Sequence, residues 1–183
     1  SETFFVVSLN NIAVFNTSTY KKEILFRDLF SHYFVTFSLC YDSSHKRLWL
    51  GSNFNGLFYL DLTSLEVSQF KPGLFPMQPV MDIEAIDSKT LLVGIDGQGV
   101  WNIDREKMEV VDVYKVDVDN PTALRGNGVY DIFHDTEAGR VWVCTYSGGL
   151  SYYNLGSSLV EHVVHQVNQD NSLINNNINC VIE

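Results

Sequence analysis

The chain has 183 residues, of which 45% are hydrophobic and 19% charged, so it is no disordered tail and has mass enough for one ordinary domain. With 12 Lys and Arg against 22 Asp and Glu the net charge is −10, which argues against direct binding to nucleic acid or to an anionic membrane. No apolar run approaches the roughly 18–20 residues of a membrane helix, no basic-then-apolar leader is present, and Ser1 reads as a trimmed boundary.

In chain order, the first recognisable motif is a worn one. Phe4, Asn11, Ile12 and Asn16 stand at spacings that recur three times downstream. A predicted strand over 36–42 leads into the first clear copy, Leu48-Trp49-Leu50-Gly51-Ser52, a turn ending at Gly56, and an aromatic strand closing at Asp61. A strand over 80–85 leads into the second, with Leu92, Gly99 and Asp104 in the corresponding places. A strand over 129–135 leads into the third, with Trp142, Gly149 and Asn154. In every copy the Gly place lies 7 residues, and the Asp place 12 residues, after the Trp place. Phe4 takes the Trp place of the first copy, Asn11 its Gly place and Asn16 its Asp place. Leu92 follows Trp49 by 43 residues and Trp142 follows Leu92 by 50. A final strand is predicted over 176–183.

Each unit is therefore four short strands separated by Gly, Asn, Asp and Ser turns. One such sheet cannot bury both faces and must stack on its neighbours. Four antiparallel strands repeated every 40–50 residues predict an all-β fold, a β-propeller of four-stranded blades. The units expected are 1–30 lacking a first strand, 35–72, 79–116, 128–166 and a further first strand at 176–183. Trp49, Leu92 and Trp142 are expected to pack between blades. Gly97-Gln98-Gly99 and Gly148-Gly149 are not phosphate loops, because no helix follows them. Cys40, Cys144 and Cys180 have no metal spacing and read as free thiols in strands.

These residues resemble the two-component regulator propeller repeat. The resemblance rests on Leu-Trp-x-Gly-Thr/Ser, the Gly-Gly-Leu turn, and two connectors, 119–129 (Asp-Asn-Pro-Thr-Ala-Leu-Arg-Gly-Asn-Gly-Val) and 169–178 (Gln-Asp-Asn-Ser-Leu-Ile-Asn-Asn-Asn-Ile). It departs in the second copy, where Leu92 replaces Trp and Ile95 replaces Thr/Ser. WD and kelch patterns fit less well. The resemblance implies the periplasmic or extracytoplasmic sensor part of a hybrid two-component protein, anchored in a membrane and coupled to a histidine kinase elsewhere. It further implies a response to carbohydrate breakdown products. The chain is then a piece of a larger ring, a closed ring of four blades, or half of a ring made with a second copy. Bare blade faces and unpaired strand edges favour self-association.

In such a fold the turns between second and third strands share one end with the connectors. The turn positions are Asn53, Phe54, Asp96, Gly97, Tyr146 and Ser147, and the connector positions Tyr33, Arg125, Asn127 and Asn176. Sugars need aromatic platforms beside paired donors and acceptors, which makes Asn53, Asp96, Arg125, Tyr146 and Asn176 the candidate ligand-binding residues. Asp82 and Asp131 occupy equivalent places on first strands and are expected to bond backbone or water, with no catalytic residue. His45, His134, His162 and His165 form no metal set, and no cofactor is expected. His162 and His165 read as rim residues. Asp61, Asp104 and Asn154 read as turn formers. A propeller lyase or hydrolase acting on polysaccharide, and a protein-interaction platform, are the alternative functions.

Overall fold

The structure, a computed structural model, describes residues 3–8, 11–27, 35–157 and 160–182. Tyr33, one of the expected connector positions, lies outside them. The described residues form 15 strands and no helix. Blade 1 has three strands, β1 (Thr3–Ser8), β2 (Asn11–Asn16) and β3 (Lys21–Phe26). Blade 2 has four, β4 (Thr36–Asp42), β5 (Arg47–Ser52), β6 (Leu57–Asp61) and β7 (Glu66–Gln69). Blade 3 comprises β8 (Val80–Ala85), β9 (Thr90–Ile95), β10 (Gly99–Asp104) and β11 (Glu109–Tyr114). Blade 4 comprises β12 (Val129–Asp135), β13 (Arg140–Thr145), β14 (Gly149–Asn154) and β15 (Val160–Val163). Strands pair antiparallel in chain order, and the first strands β4, β8 and β12 lie side by side, so each blade runs outward from them.

The turns repeat the same chemistry. Gly56, Gly99 and Gly149 have φ of 81°, 74° and 77°, a left-handed reversal that a Cβ would strain. In blades 2 and 4 a buried hydroxyl buttresses that reversal: Ser52 Oγ donates to Gly56 O at 2.7 Å and Thr145 Oγ1 to Gly149 O at 3.0 Å. Between third and fourth strands, Asp61 Oδ1 accepts from the amides of Thr63 and Ser64, and Asp104 Oδ1 from those of Glu106 and Lys107. These are turns closed by an aspartate on its own backbone. Four residues beyond Asn16, Asp61 and Asp104 stand Tyr20, Leu65 and Met108, all with positive φ. Asn154 departs from the pattern, since its Oδ1 accepts from Arg140 Nε instead.

Two expectations need correction. In blade 1, Val7 pairs with Ile12 and Phe5 with Val14, whereas in blade 2 Gly51 pairs with Leu57 and Trp49 with Tyr59. The blade 1 hairpin is one residue shorter, so Phe5 rather than Phe4 holds the Trp place. Phe5 stacks on Tyr41 of blade 2 at 5.0 Å while Phe4 is half exposed. Second, residues 176–182 form no strand, because no second strand of a further unit stands beside them among the described residues. They still follow the path of one. Ile178 N donates to Thr145 O at 3.1 Å, and Val181 N to Asp131 Oδ2 at 2.9 Å.

The core lies between blades rather than within them. Ile12 of blade 1 meets Leu48, Leu50 and Leu60 of blade 2. Trp49, Leu57 and Phe70 of blade 2 meet Ile83, Leu91, Val93 and Ile103 of blade 3. Leu92 and Val100 of blade 3 meet Ile132, Val141 and Val143 of blade 4. All of these are essentially removed from water, and each such side chain stabilises the stack by roughly 1.5–3 kcal/mol.

Candidate functional site

The turns and connectors share one end of the blades because backbone bonds sew them together. Asn53 N donates to Val35 O, Asp96 N to Pro79 O and Tyr146 N to Gly128 O, extending each ladder by one step past the first strand. Gly99 N donates to Asn127 O, and Gly149 N to Asn176 O, both at 2.9 Å. The side chains of the same two asparagines act alike, Asn127 Oδ1 accepting from Val116 N and Asn176 Oδ1 from His165 N. Connectors 115–128 and 164–177 are thus copies of one loop. Asn176 holds that loop in shape through its carbonyl and its Oδ1.

Four of the five candidate residues gather around blade 4. Arg125 and Asn176 line one cleft of about 420 Å³ with Ser147, Asp117, Asn120 and His165. Asp96 and Tyr146 flank Gly128, where a Cβ would stand 3.2 Å from Asp96 Oδ1 and 3.3 Å from Tyr146 Cβ. The Tyr146 ring is more than half exposed and meets Tyr130 edge-on at 5.9 Å. Gly148 brings the turn onto the connector, since a Cβ there would lie 2.4 Å from the Arg125 carbonyl carbon. The site therefore has a guanidinium, an amide, a carboxylate and an exposed phenol, supplied by two turns and two connectors. Asn53 lines neither this cleft nor the one described below; it sits on blade 2 beside exposed Phe54.

A second constellation lies along the first strands. A β-bulge precedes Ser38, Asp82 and Asp131 at the same place in each blade and re-aims that side chain. Each then reaches the following unit. Ser38 Oγ donates to Val80 O at 2.8 Å, Asp82 Oδ2 accepts from Ile132 N at 2.8 Å, and Asp131 Oδ2 accepts from Val181 N. The expected bonds to backbone are present, but they join neighbouring blades. Burial pushes the Asp82 carboxyl up to about 6, and burial with the charges of Asp82 and Asp131 pushes Glu84 up to about 7. Burial likewise pushes the Cys144 thiol, 3.9 Å from Asp131, up to about 12, which makes it a poor nucleophile. Among the described residues no cluster of metal-ligating side chains occurs, and the three cysteines are free. His162, half-buried on the edge strand β15, places its Nδ1 3.0 Å from buried Ser151 Oγ.

The bulges, the connector asparagines' double role and the Asp42–Arg105 ion pair at 2.9 Å between blades 2 and 3 escaped the sequence reading. Their only signal was periodic, in that Asn127 and Asn176 stand 49 residues apart, as do Asp82 and Asp131.

No protein-family model and no curated protein matches the chain. Solved structures do. Two structures of the extracellular domain of one B. thetaiotaomicron protein, described once as a one-component and once as a hybrid two-component system, superpose with TM-scores of 0.64 and 0.58 at 19% and 16% identity. They take in 82% and 98% of this chain, which spans only 20% and 28% of theirs. This chain shares their fold. Chains of the mitotic checkpoint complex and of the nidogen/laminin complex superpose as well, with TM-scores of 0.64 and 0.65 at 12% and 10% identity, the chain spanning 49% and 62% of them. A fold common to such different proteins fixes the blades and leaves function to the site.

Proposed function

We propose that this chain is a ligand-sensing segment of an extracytoplasmic, membrane-anchored receptor of the two-component type, and that its ligand is an oligosaccharide. The observation that carries the reading is the cleft between Arg125, Ser147 and Asn176, with Tyr146 and Asp96 beside it. Guanidinium, amide and carboxylate groups around an exposed phenol suit a neutral polyhydroxylated molecule, which needs donors and acceptors together with a stacking face. The likeness to extracellular domains of a signalling protein points the same way. Catalysis is not part of the reading, because Asp82 and Asp131 each spend an oxygen on joining blades. Isothermal titration against a panel of oligosaccharides tests it. A binder should lose tenfold or more in affinity on Arg125→Ala, about 1.4 kcal/mol. A panel with no binder, or detectable turnover of any sugar by the chain, would sink it.

The partner of the last blade is a further blade of the same build, here proposed to come from a second copy. In blade 2, Arg47 lies over the Tyr59 ring, Trp49 packs on Tyr59, and Arg47 Nη1 donates to Arg105 O of blade 3 at 3.1 Å. In blade 4, Arg140 lies over both Tyr152 and Trp142 in the same arrangement, with no blade across from it among the described residues. Sedimentation should show association that Arg140→Glu weakens; a monomer at every concentration refutes the second-copy occupant.

A further inference from the structure

The two interfaces between whole blades use the same positions and fill them differently. Towards blade 3, blade 2 presents Trp49 and its cross-strand partner Tyr59; towards blade 2, blade 3 presents Trp101, packed on Phe75 at 5.1 Å. At the interface of blades 3 and 4 the equivalent places hold Leu92, its partner Asn102, and Ser151. Three aromatic rings are absent from it. The consequence is a cleft of about 1060 Å³ against β11, β14 and β15, where the space beside Trp101 and Phe75 is about 410 Å³. Interiors close such gaps when side chains can reach, and the connector here supplies only Leu124 as a buried plug.

The walls are a built surface. Leu92, Val100, Leu124 and Val143 are buried apolar side chains on it. Tyr114 and Tyr153 add ring faces with hydroxyls, and burial pushes the Tyr153 hydroxyl up to about 12, so it stays a neutral donor. Asn102 Nδ2 donates to the Tyr114 hydroxyl at 3.2 Å. Ser151 is fully buried, yet its need is met: the His162 ring Nε2–H donates to Pro121 O at 3.3 Å, which leaves Nδ1 to accept from Ser151 Oγ at 3.0 Å. The cleft thus offers apolar area and the phenolic rings of Tyr114, Tyr152 and Tyr153, with Asp112, Lys115 and Asp117 also on its lining.

We propose that this cleft binds a planar aromatic molecule carrying one hydrogen-bonding substituent, of the indole or phenol class. Such a ring occupies the volume that Trp49, Tyr59 and Trp101 occupy one interface earlier. The site is separate from the Arg125 cleft and takes a ligand of different chemistry. Indole and phenol are titrated into the chain and followed by thermal melting and by saturation-transfer NMR. At ten times the dissociation constant, binding should raise Tm by roughly 3 °C. Leu92→Trp should raise the melting temperature of the free chain and weaken indole at least tenfold, and the smaller Leu92→Phe should do the same in part. Arg125→Ala should leave indole binding unchanged, which separates this proposal from the oligosaccharide reading. The absence of any shift up to about 10 mM ligand, or an equal shift in wild type and both Leu92 variants, overturns it.

Discussion

The interface of blades 2 and 3 and that of blades 3 and 4 share their strands and register, yet one is closed by aromatic rings and a buried ion pair and the other stands half open. Trp49, Tyr59, Phe70, Phe75 and Trp101 run as a chain of ring contacts through the first. Beside them Asp42, with no exposed side chain, accepts from Arg105 at 2.9 Å and contacts His45 at 2.9 Å. At the second interface the places of Asp42 and Arg105 are taken by Ile86 and Leu155. The lesson is that a repeat fixes the backbone of a contact and leaves its filling free. One interface serves as a hinge-free weld, and the next becomes room for a ligand.

The largest expected effect breaks the weld. Asp42→Ala leaves the Arg105 guanidinium buried without its carboxylate, while Arg105 Nε already lacks a partner. Removing one member of a buried pair costs about 3–5 kcal/mol. Ile86→Ala, the matching change at the open interface, removes a half-buried side chain and should cost about 1–2 kcal/mol. Urea unfolding of both variants checks the difference, and equal losses would show that the ion pair does not close the first interface.

Much of this architecture was legible in the sequence. Hydrophobic alternation and Gly and Asp at fixed spacing mark strands and turns, because those residues act on the backbone next to them. The hidden parts act at a distance. Asp42 and Arg105 lie 63 residues apart, and their pairing exists only once two blades stack. The bulges before Ser38, Asp82 and Asp131 have no composition of their own. Blade 1 misled because matching offsets favoured Phe4, whereas packing against Tyr41 selects Phe5. The nearness of Arg125, Asn176, Tyr146 and Asp96 was legible because turns and connectors must share an end. Asn53 stands apart because, among the described residues, no connector of the 115–128 type lies beside it.

The carboxylates that face the open interface give the next effect. Asp82 is raised to about 6 and Glu84 to about 7, chiefly by burial. The folded chain therefore holds protons that the unfolded chain releases. The stability these groups contribute is fully present below about pH 4 and is lost as pH rises through 6 to 7. Melting temperature should fall between pH 5 and 8 by an amount worth about 2 kcal/mol after allowance for solvent screening. The pair Asp82→Asn and Glu84→Gln should flatten that slope. A slope unchanged in the double variant would place its origin elsewhere.

The smallest effect sharpens the same comparison at the level of one turn. Leu65 and Met108 hold the same left-handed place, with φ of 60° and 56°. A left-handed non-glycine residue costs about 1–2 kcal/mol, part of which glycine returns to the unfolded chain as entropy. Leu65 is half exposed, so Leu65→Gly should stabilise by about 0.5 kcal/mol. Met108 packs against the core of blades 2 and 3, and its sulfur lies 3.3 Å from Arg47 Nη1. Met108→Gly removes that packing and should destabilise by about 1–2 kcal/mol, in spite of the same relief of strain. Paired denaturation curves decide it. Opposite signs show that backbone strain is shared by the repeat while packing belongs to the closed interface, and like signs show that the turn alone sets both values.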